Sequence, residues 1–189
     1  MRWQRLFAEL EAEFDAVEAA AERAEAGSRR RAELGAVRLA ERLAGSVGRP
    51  VSLRCRGAGE VAGTLTDVGP DWLLLSDDVH REVLVATGAV LSVAGLGRMT
   101  AVPAPDGSVR GRLDLRRALR GLARDRSVVQ VLLDDGSASV GTVDSVGADF
   151  VELAEHAADQ PRRAGAVSGV RTLALPALVL VRTLAPGLD

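Results

Sequence analysis

Val51-Ser-Leu-Arg-Cys-Arg-Gly-Ala-Gly-Glu-Val-Ala-Gly-Thr-Leu-Thr-Asp-Val-Gly-Pro-Asp-Trp-Leu-Leu-Leu75 is written a second time, 78 residues on, as Val129-Gln-Val-Leu-Leu-Asp-Asp-Gly-Ser-Ala-Ser-Val-Gly-Thr-Val-Asp-Ser-Val-Gly-Ala-Asp-Phe-Val-Glu-Leu153. The two stretches share Val51/Val129, Gly63/Gly141, Thr64/Thr142, Val68/Val146, Gly69/Gly147, Asp71/Asp149 and Leu75/Leu153, and columns such as Leu65/Val143 and Trp72/Phe150 stay apolar. An internal repeat of this length decides the architecture, because each copy must be one structural unit.

Outward from Val51 the first copy reads as five short strands. Val51, Leu53 and Cys55 alternate; Val61 to Asp67 runs across Gly63; Val68-Gly69-Pro70-Asp71 has turn chemistry; Trp72 to Leu75 is a continuous apolar run. Glu82 to Ala86 and Ala89 to Val93 follow, hinged at Thr87-Gly88. In the second copy a polar insertion, Glu155 to Gly165, comes before Arg171 to Val181, which matches Val83 to Val93 at an offset of 88. Strands this short predict a small, strongly bent barrel in each copy. The expected fold is mainly β with α: two tandem five-stranded small barrels, each preceded by a helix, plus an N-terminal amphipathic helix. The expected divisions are residues 1–28, the amphipathic helix; 29–96, helix plus first barrel; 97–112, a linker rich in Pro and Gly; 113–185, a basic helix plus second barrel; and 186–189, a tail.

Trp3, Phe7, Leu10, Phe14 and Val17 recur in alternating steps of four and three, the seam of a helix that meets another helix, while glutamates occupy the other faces. That seam either folds back on its own domain or forms a partner-helix interface. Ala26-Gly27-Ser28 interrupts it, and a second stripe at Ala32, Ala36, Leu39 and Leu43 predicts a helical stretch from Arg30 to Leu43, so that either a turn separates two helices or one long helix changes face there.

A chain of 189 residues, 47% hydrophobic and 26% charged, has the composition of a folded globular protein of one or two small cores. One cysteine excludes an internal disulfide and a cysteine-rich zinc site. No apolar run approaches a membrane span and the start has no secretion signal, so the expectation is no membrane partner and a cytoplasmic location. Two histidines, His80 and His156, fall in equivalent loops and read as solvated; Asp134-Asp135-Gly136 reads as a hairpin turn. With no catalytic set in view, no enzyme activity, cofactor or metal site is expected.

A helix leading into five bent strands, with a Gly-x-apolar step in strand two at Gly63 and Gly141 and an apolar strand three from Trp72 or Phe150, resembles the Sm-like fold of the Sm, LSm and Hfq RNA-binding proteins. The resemblance spans most of the chain after residue 30. With its acidic helix and Val-Gly-x-Asp-[Trp/Phe] turn, the chain is also similar to a group of uncharacterised actinobacterial proteins, a resemblance that implies no settled activity. The Sm likeness implies assembly edge to edge through strands four and five, and RNA as partner. It does not carry over the family's uridine pocket. Where the family has Arg-Gly between strands four and five, this sequence has Thr87-Gly88 and Leu175-Pro176, and the turn positions nearest the family's RNA-holding residues are Gly69, Asp71, Gly147 and Asp149.

The remaining signal is basic. Seven arginines lie between Arg110 and Arg126 against Asp114 and Asp125, a local charge of +5 in a chain of −2. Arg112, Arg116, Arg120 and Arg124 stand four apart, with Arg117 beside them, so they share one side of a helix expected from Leu113 to Arg124. These five are the candidate nucleic-acid-binding residues, suited to backbone phosphates; with no aromatic residue among them, base stacking is not expected. The functional expectation is a non-enzymatic assembly module of Sm-like type binding RNA through that helix. The alternative is a protein-interaction scaffold using the N-terminal helix, with the barrels as ligand-free spacers and no nucleic acid; self-association is expected through that helix or the barrel edges.

Overall fold

The computed structural model describes residues 2–101, 110–158 and 167–184. Half of the expected linker, residues 159–165 of the expected insertion and the tail lie outside them. The chain divides into two compact units, Met1–Arg38 and Leu39–Asp189.

The first unit is helix α1, Arg2–Ala36, 35 residues long. Of the two arrangements open at Ala26-Gly27-Ser28, a turn or a continuing helix, the chain takes the continuing helix. A single interior glycine costs about 1 kcal/mol relative to alanine, and the Ala- and Glu-rich turns around Gly27 are strong enough formers to carry the helix through. The break falls instead at Val37 and Arg38, so the helix expected over Arg30 to Leu43 is the end of α1 followed by a short α2, Leu39–Ala44. No residue of α1 is buried, and Trp3, Phe7, Leu10, Phe14 and Val17 are all exposed.

In the second unit the strands fall within two residues of expectation. The first copy holds β1 Pro50–Cys55, β2 Gly59–Val68, β3 Trp72–Ser76, β4 Glu82–Ala86 and β5 Val90–Ala94. Helix α3, Leu115–Asp125, precedes the second copy: β6 Val128–Leu133, β7 Ala138–Val146, β8 Phe150–Glu155, β9 Gly169–Ala174 and β10 Leu178–Thr183. Both hinges, Thr87–Ala89 and Leu175–Ala177, are three-residue 3-10 turns.

The duplication holds at the level of hydrogen-bond register. Val51 faces Gly63 as Val129 faces Gly141; Leu65 faces Leu75 as Val143 faces Leu153; Leu53 faces Val93 as Val131 faces Val181. Even the irregularity of β2, between Leu65 and Asp67, recurs in β7 between Val143 and Ser145. Each copy has the strand order five, one, two, three, four. Strands four and five are therefore joined by three residues yet lie at opposite ends of the row. In a flat sheet they would be about 19 Å apart, whereas four Cα steps reach about 14 Å at most. Each row must curl.

The expectation of two tandem small barrels is met only in part. Among the described residues β4 does not pair with β5, nor β9 with β10; β4 pairs instead with β10, so the copies merge into one ten-stranded antiparallel sheet ordered β5-β1-β2-β3-β4-β10-β6-β7-β8-β9. Strand four has an edge to satisfy, and strand five of the other copy satisfies it with main-chain hydrogen bonds. A continuous core, from Leu43 through Leu53, Leu65, Leu73, Val85, Leu119, Val131 and Leu153 to Val181, runs through both copies.

Candidate functional site

The residues the copies share are explained by close packing at one turn. Gly69 N–H donates to the Trp72 carbonyl and Gly147 N–H to the Phe150 carbonyl, both at 2.9 Å, so each ring folds back over its glycine. A Cβ on Gly69 or Gly147 would sit 2.2 or 2.3 Å from the ring. The main-chain carbonyls of Asp71 and Asp149 accept from Thr87 N–H at 2.9 Å and Leu175 N–H at 2.8 Å, pinning each hinge to the turn.

What the side chains of this turn do differs between the copies. In the first, Trp72 Nε1 donates to the Leu113 carbonyl at 2.5 Å and Asp71 Oδ1 accepts the Leu115 N–H at 2.7 Å. The first copy thus grips the N-terminal end of the helix that introduces the second. The Asp114 side chain caps that helix, accepting from Arg117 N–H at 2.9 Å. Burial pushes the Asp114 carboxyl up, but the Arg117 N–H, the Arg116 guanidinium and the charge of both arginines hold it below the usual carboxylate range. A crevice of about 150 Å³ between Trp72, Leu84, Ala118, Leu122 and Val181 marks where α3, the first copy and β10 meet.

With Leu115 and Leu119 buried in the seam, the other side of α3 faces out. At 100° per residue, Arg116, Arg120, Arg124 and Arg117 lie roughly 100° to 200° around the axis from Leu115. Those four and Arg112, in a 3-10 turn just before the helix, are exposed, so all five expected phosphate-binding residues share an accessible surface. Arg116 pairs with Asp114 Oδ2 at 3.1 Å and, more weakly, donates to the Ala148 carbonyl at 3.4 Å; Arg120 reaches the Val146 carbonyl at 3.4 Å; Arg117 donates to the Arg112 carbonyl. Among the described residues, most donors of the cluster have no protein partner and face outward.

His80 is an exposed loop residue, with φ of 62°. His156 is not the solvated residue expected. It is 5% exposed, with Nε2 2.8 Å from Thr142 Oγ1 and Nδ1 2.9 Å from the Ala157 carbonyl, a structural peg. Its counterpart in the first copy is Asp78, beside a groove of about 660 Å³ over Ser52, Ala62, Thr64, Ser76 and Asp77. Asp77 is committed to its own loop, taking N–H groups from Val79 and Arg81 and the Arg81 guanidinium. Cys55 is buried, which pushes its thiol pKa up and leaves it unreactive. No helix is long and apolar enough to cross a membrane among the described residues.

No model of a known family matches the chain, and neither does any curated protein.

Proposed function

We propose that this protein is a non-enzymatic assembly module built from two Sm-like units, which multiplies edge to edge and offers the arginine face of α3 to the phosphates of RNA. The observation that carries the reading is the β4–β10 join. One chain already contains a unit-to-unit junction made by an edge strand of each copy, and among the described residues it leaves β5 and β9 with an unpaired edge each at the two ends of the sheet. Such edges are templates for further strands unless they are blunted. Arg112, Arg116, Arg117, Arg120 and Arg124 supply the phosphate contacts; with no aromatic among them, binding favours the backbone over particular bases.

Light scattering of the full chain tests the assembly half, with a mass that rises with concentration as the expected result and a monomer at all concentrations as the refuting one. An electrophoretic shift with single-stranded RNA at low salt tests the other half, and a folded chain without affinity overturns it.

A second reading is favoured by the seam of α1. Three large aromatics, Trp3, Phe7 and Phe14, are exposed on it, surface that is costly to leave in water. A partner helix, from a second copy or another protein, would cover it, and the strand units would then act as spacers. Removing residues 1–27 separates the two readings: oligomers that persist come from the sheet edges, and oligomers that vanish come from the seam.

A further inference from the structure

The seam of α1 carries one sign of charge on both of its shoulders. Trp3, Phe7, Leu10, Phe14 and Val17 are exposed, Trp3 to 70% and Phe14 to 78%, and Ala21 and Ala24 continue the same steps. In a heptad, the residues that flank such a seam and meet a partner helix across it are those just after Trp3, Leu10, Val17 and Ala24 and those just before Phe7, Phe14 and Ala21. They are Gln4, Glu11, Glu18 and Glu25 on one shoulder and Leu6, Glu13 and Ala20 on the other. Four are glutamates and none is basic, and from Ala8 to Glu22 the helix holds six carboxylates and no arginine. Of the four glutamates only Glu25 has an ion pair among the described residues, with Arg29 at 3.8 Å.

That charge selects the occupant of the seam. A second molecule of this chain fits badly. In a parallel pair in register Glu13 stands against Glu18, and in an antiparallel pair that lays Trp3 to Ala21 on itself, Glu11 stands against Glu11 and Glu13 against Glu13. Antiparallel overlap of the whole helix sets Glu18 against Glu18 and Glu11 against Glu25, and puts Arg31 into the seam opposite Phe7. An anionic bilayer repels the same carboxylates. The arginine face of α3 in another molecule has the right charge but no apolar stripe to offer, since Leu115 and Leu119 are buried. We infer, on the second reading above, that α1 is the acidic half of a heterotypic coiled coil. Its partner is a basic amphipathic helix of another protein, with arginine or lysine on both sides of its apolar stripe. The glutamate shoulders attract that helix and, by repulsion, keep α1 from pairing with itself.

The test uses the full chain and synthetic helices of about four heptads, with leucine and alanine on the seam and arginine at every flanking position, beside the same sequence with glutamine or glutamate there. With arginine on both shoulders the helix suits a parallel or an antiparallel approach alike. Trp3 is the reporter, because it lies open while Trp72 is 8% exposed. The arginine helix is expected to shift Trp3 emission to the blue and to bind about tenfold or more tightly than the glutamine helix, with an affinity that falls as salt rises; the glutamate helix is expected not to bind. Replacing Glu11, Glu13 and Glu18 together by glutamine should cut the preference for arginine about fivefold, and Phe14→Ala, which keeps the helix, should weaken binding about tenfold. Equal affinity for the three helices overturns the basic class while leaving the partner-helix reading standing; no binding of any of them to the folded chain removes both. A blue shift that grows with protein concentration alone and is lost in Phe14→Ala overturns the inference in favour of a second molecule of the chain. A blue shift with zwitterionic phospholipid vesicles overturns it in favour of a membrane surface.

Discussion

Asp71 and Asp149 occupy the same column of the repeat, accept the same main-chain hydrogen bond at the hinge, and part company at the carboxylate. Asp71 Oδ1 takes the Leu115 N–H, whereas the Asp149 side chain has no partner among the described residues. Asp71→Ala is therefore expected to lower the unfolding free energy by about 1 kcal/mol in urea titrations, and Asp149→Ala in dilute protein by less than about 0.5 kcal/mol. Equal losses would mean that the grip on α3 contributes nothing. Gly141 makes a second test, since a Cβ there would meet the Ala154 carbonyl oxygen at 2.1 Å. Gly141→Ala is expected to cost roughly 1–3 kcal/mol by the same titration, because a backbone atom cannot yield as a side-chain end can. The shared glycines were visible in the sequence; the reason for them, backbone and ring lying where a Cβ would go, was not.

Helix α3 has a buried side in the junction between the copies and an exposed arginine side, and its N-terminal cap holds its start in place. Asp114 has its carboxyl held below the ordinary 3.8, so the unfolded chain takes up this proton more readily than the folded one. Its contribution is complete above pH ~4 and drains away as the pH falls through the lower folded value. Thermal unfolding from pH 7 to pH 3 should show that loss, and Asp114→Asn should flatten part of the acid slope. On the proposed reading of the outer side, RNA affinity falls with a log–log salt slope of about −0.7 for each phosphate neutralised, and Arg120→Ala with Arg124→Ala reduces the slope by roughly one unit or more; a salt-independent affinity would sink that reading. The basic face was plain from the spacing of the arginines. That the leucines opposite them seal a junction between copies was not, because the partner surface, Trp72 and Leu84, lies about 30 to 50 residues earlier in the chain.

The described core begins at Leu43, and α1 contributes no buried side chain. The fragment from Leu39 onward is accordingly expected to fold alone, with the same unfolding midpoint as the full chain and a far-ultraviolet spectrum poorer in helix. A large drop in the midpoint would show that α1 supports the sheet. Helix α1 itself illustrates a limit of local reading: Gly27 left both a turn and a continuing helix open, the surrounding turns outweighed its cost, and the break came at Val37 and Arg38, just after a second glycine, Gly35.

Periodicity and the duplication determined, unaided, ten strands, their limits within two residues, both hinges and the recurrence of one unit, because alternation and turn chemistry are properties of neighbouring residues. Whether each curled row closed on itself or opened onto the other depended on which edge strand met β4. Leu84 and Val85 would suit strand five of either copy, as both are short, apolar and antiparallel to them. Only the folded chain, with α3 clamped beneath Trp72, settles that β10 takes the place.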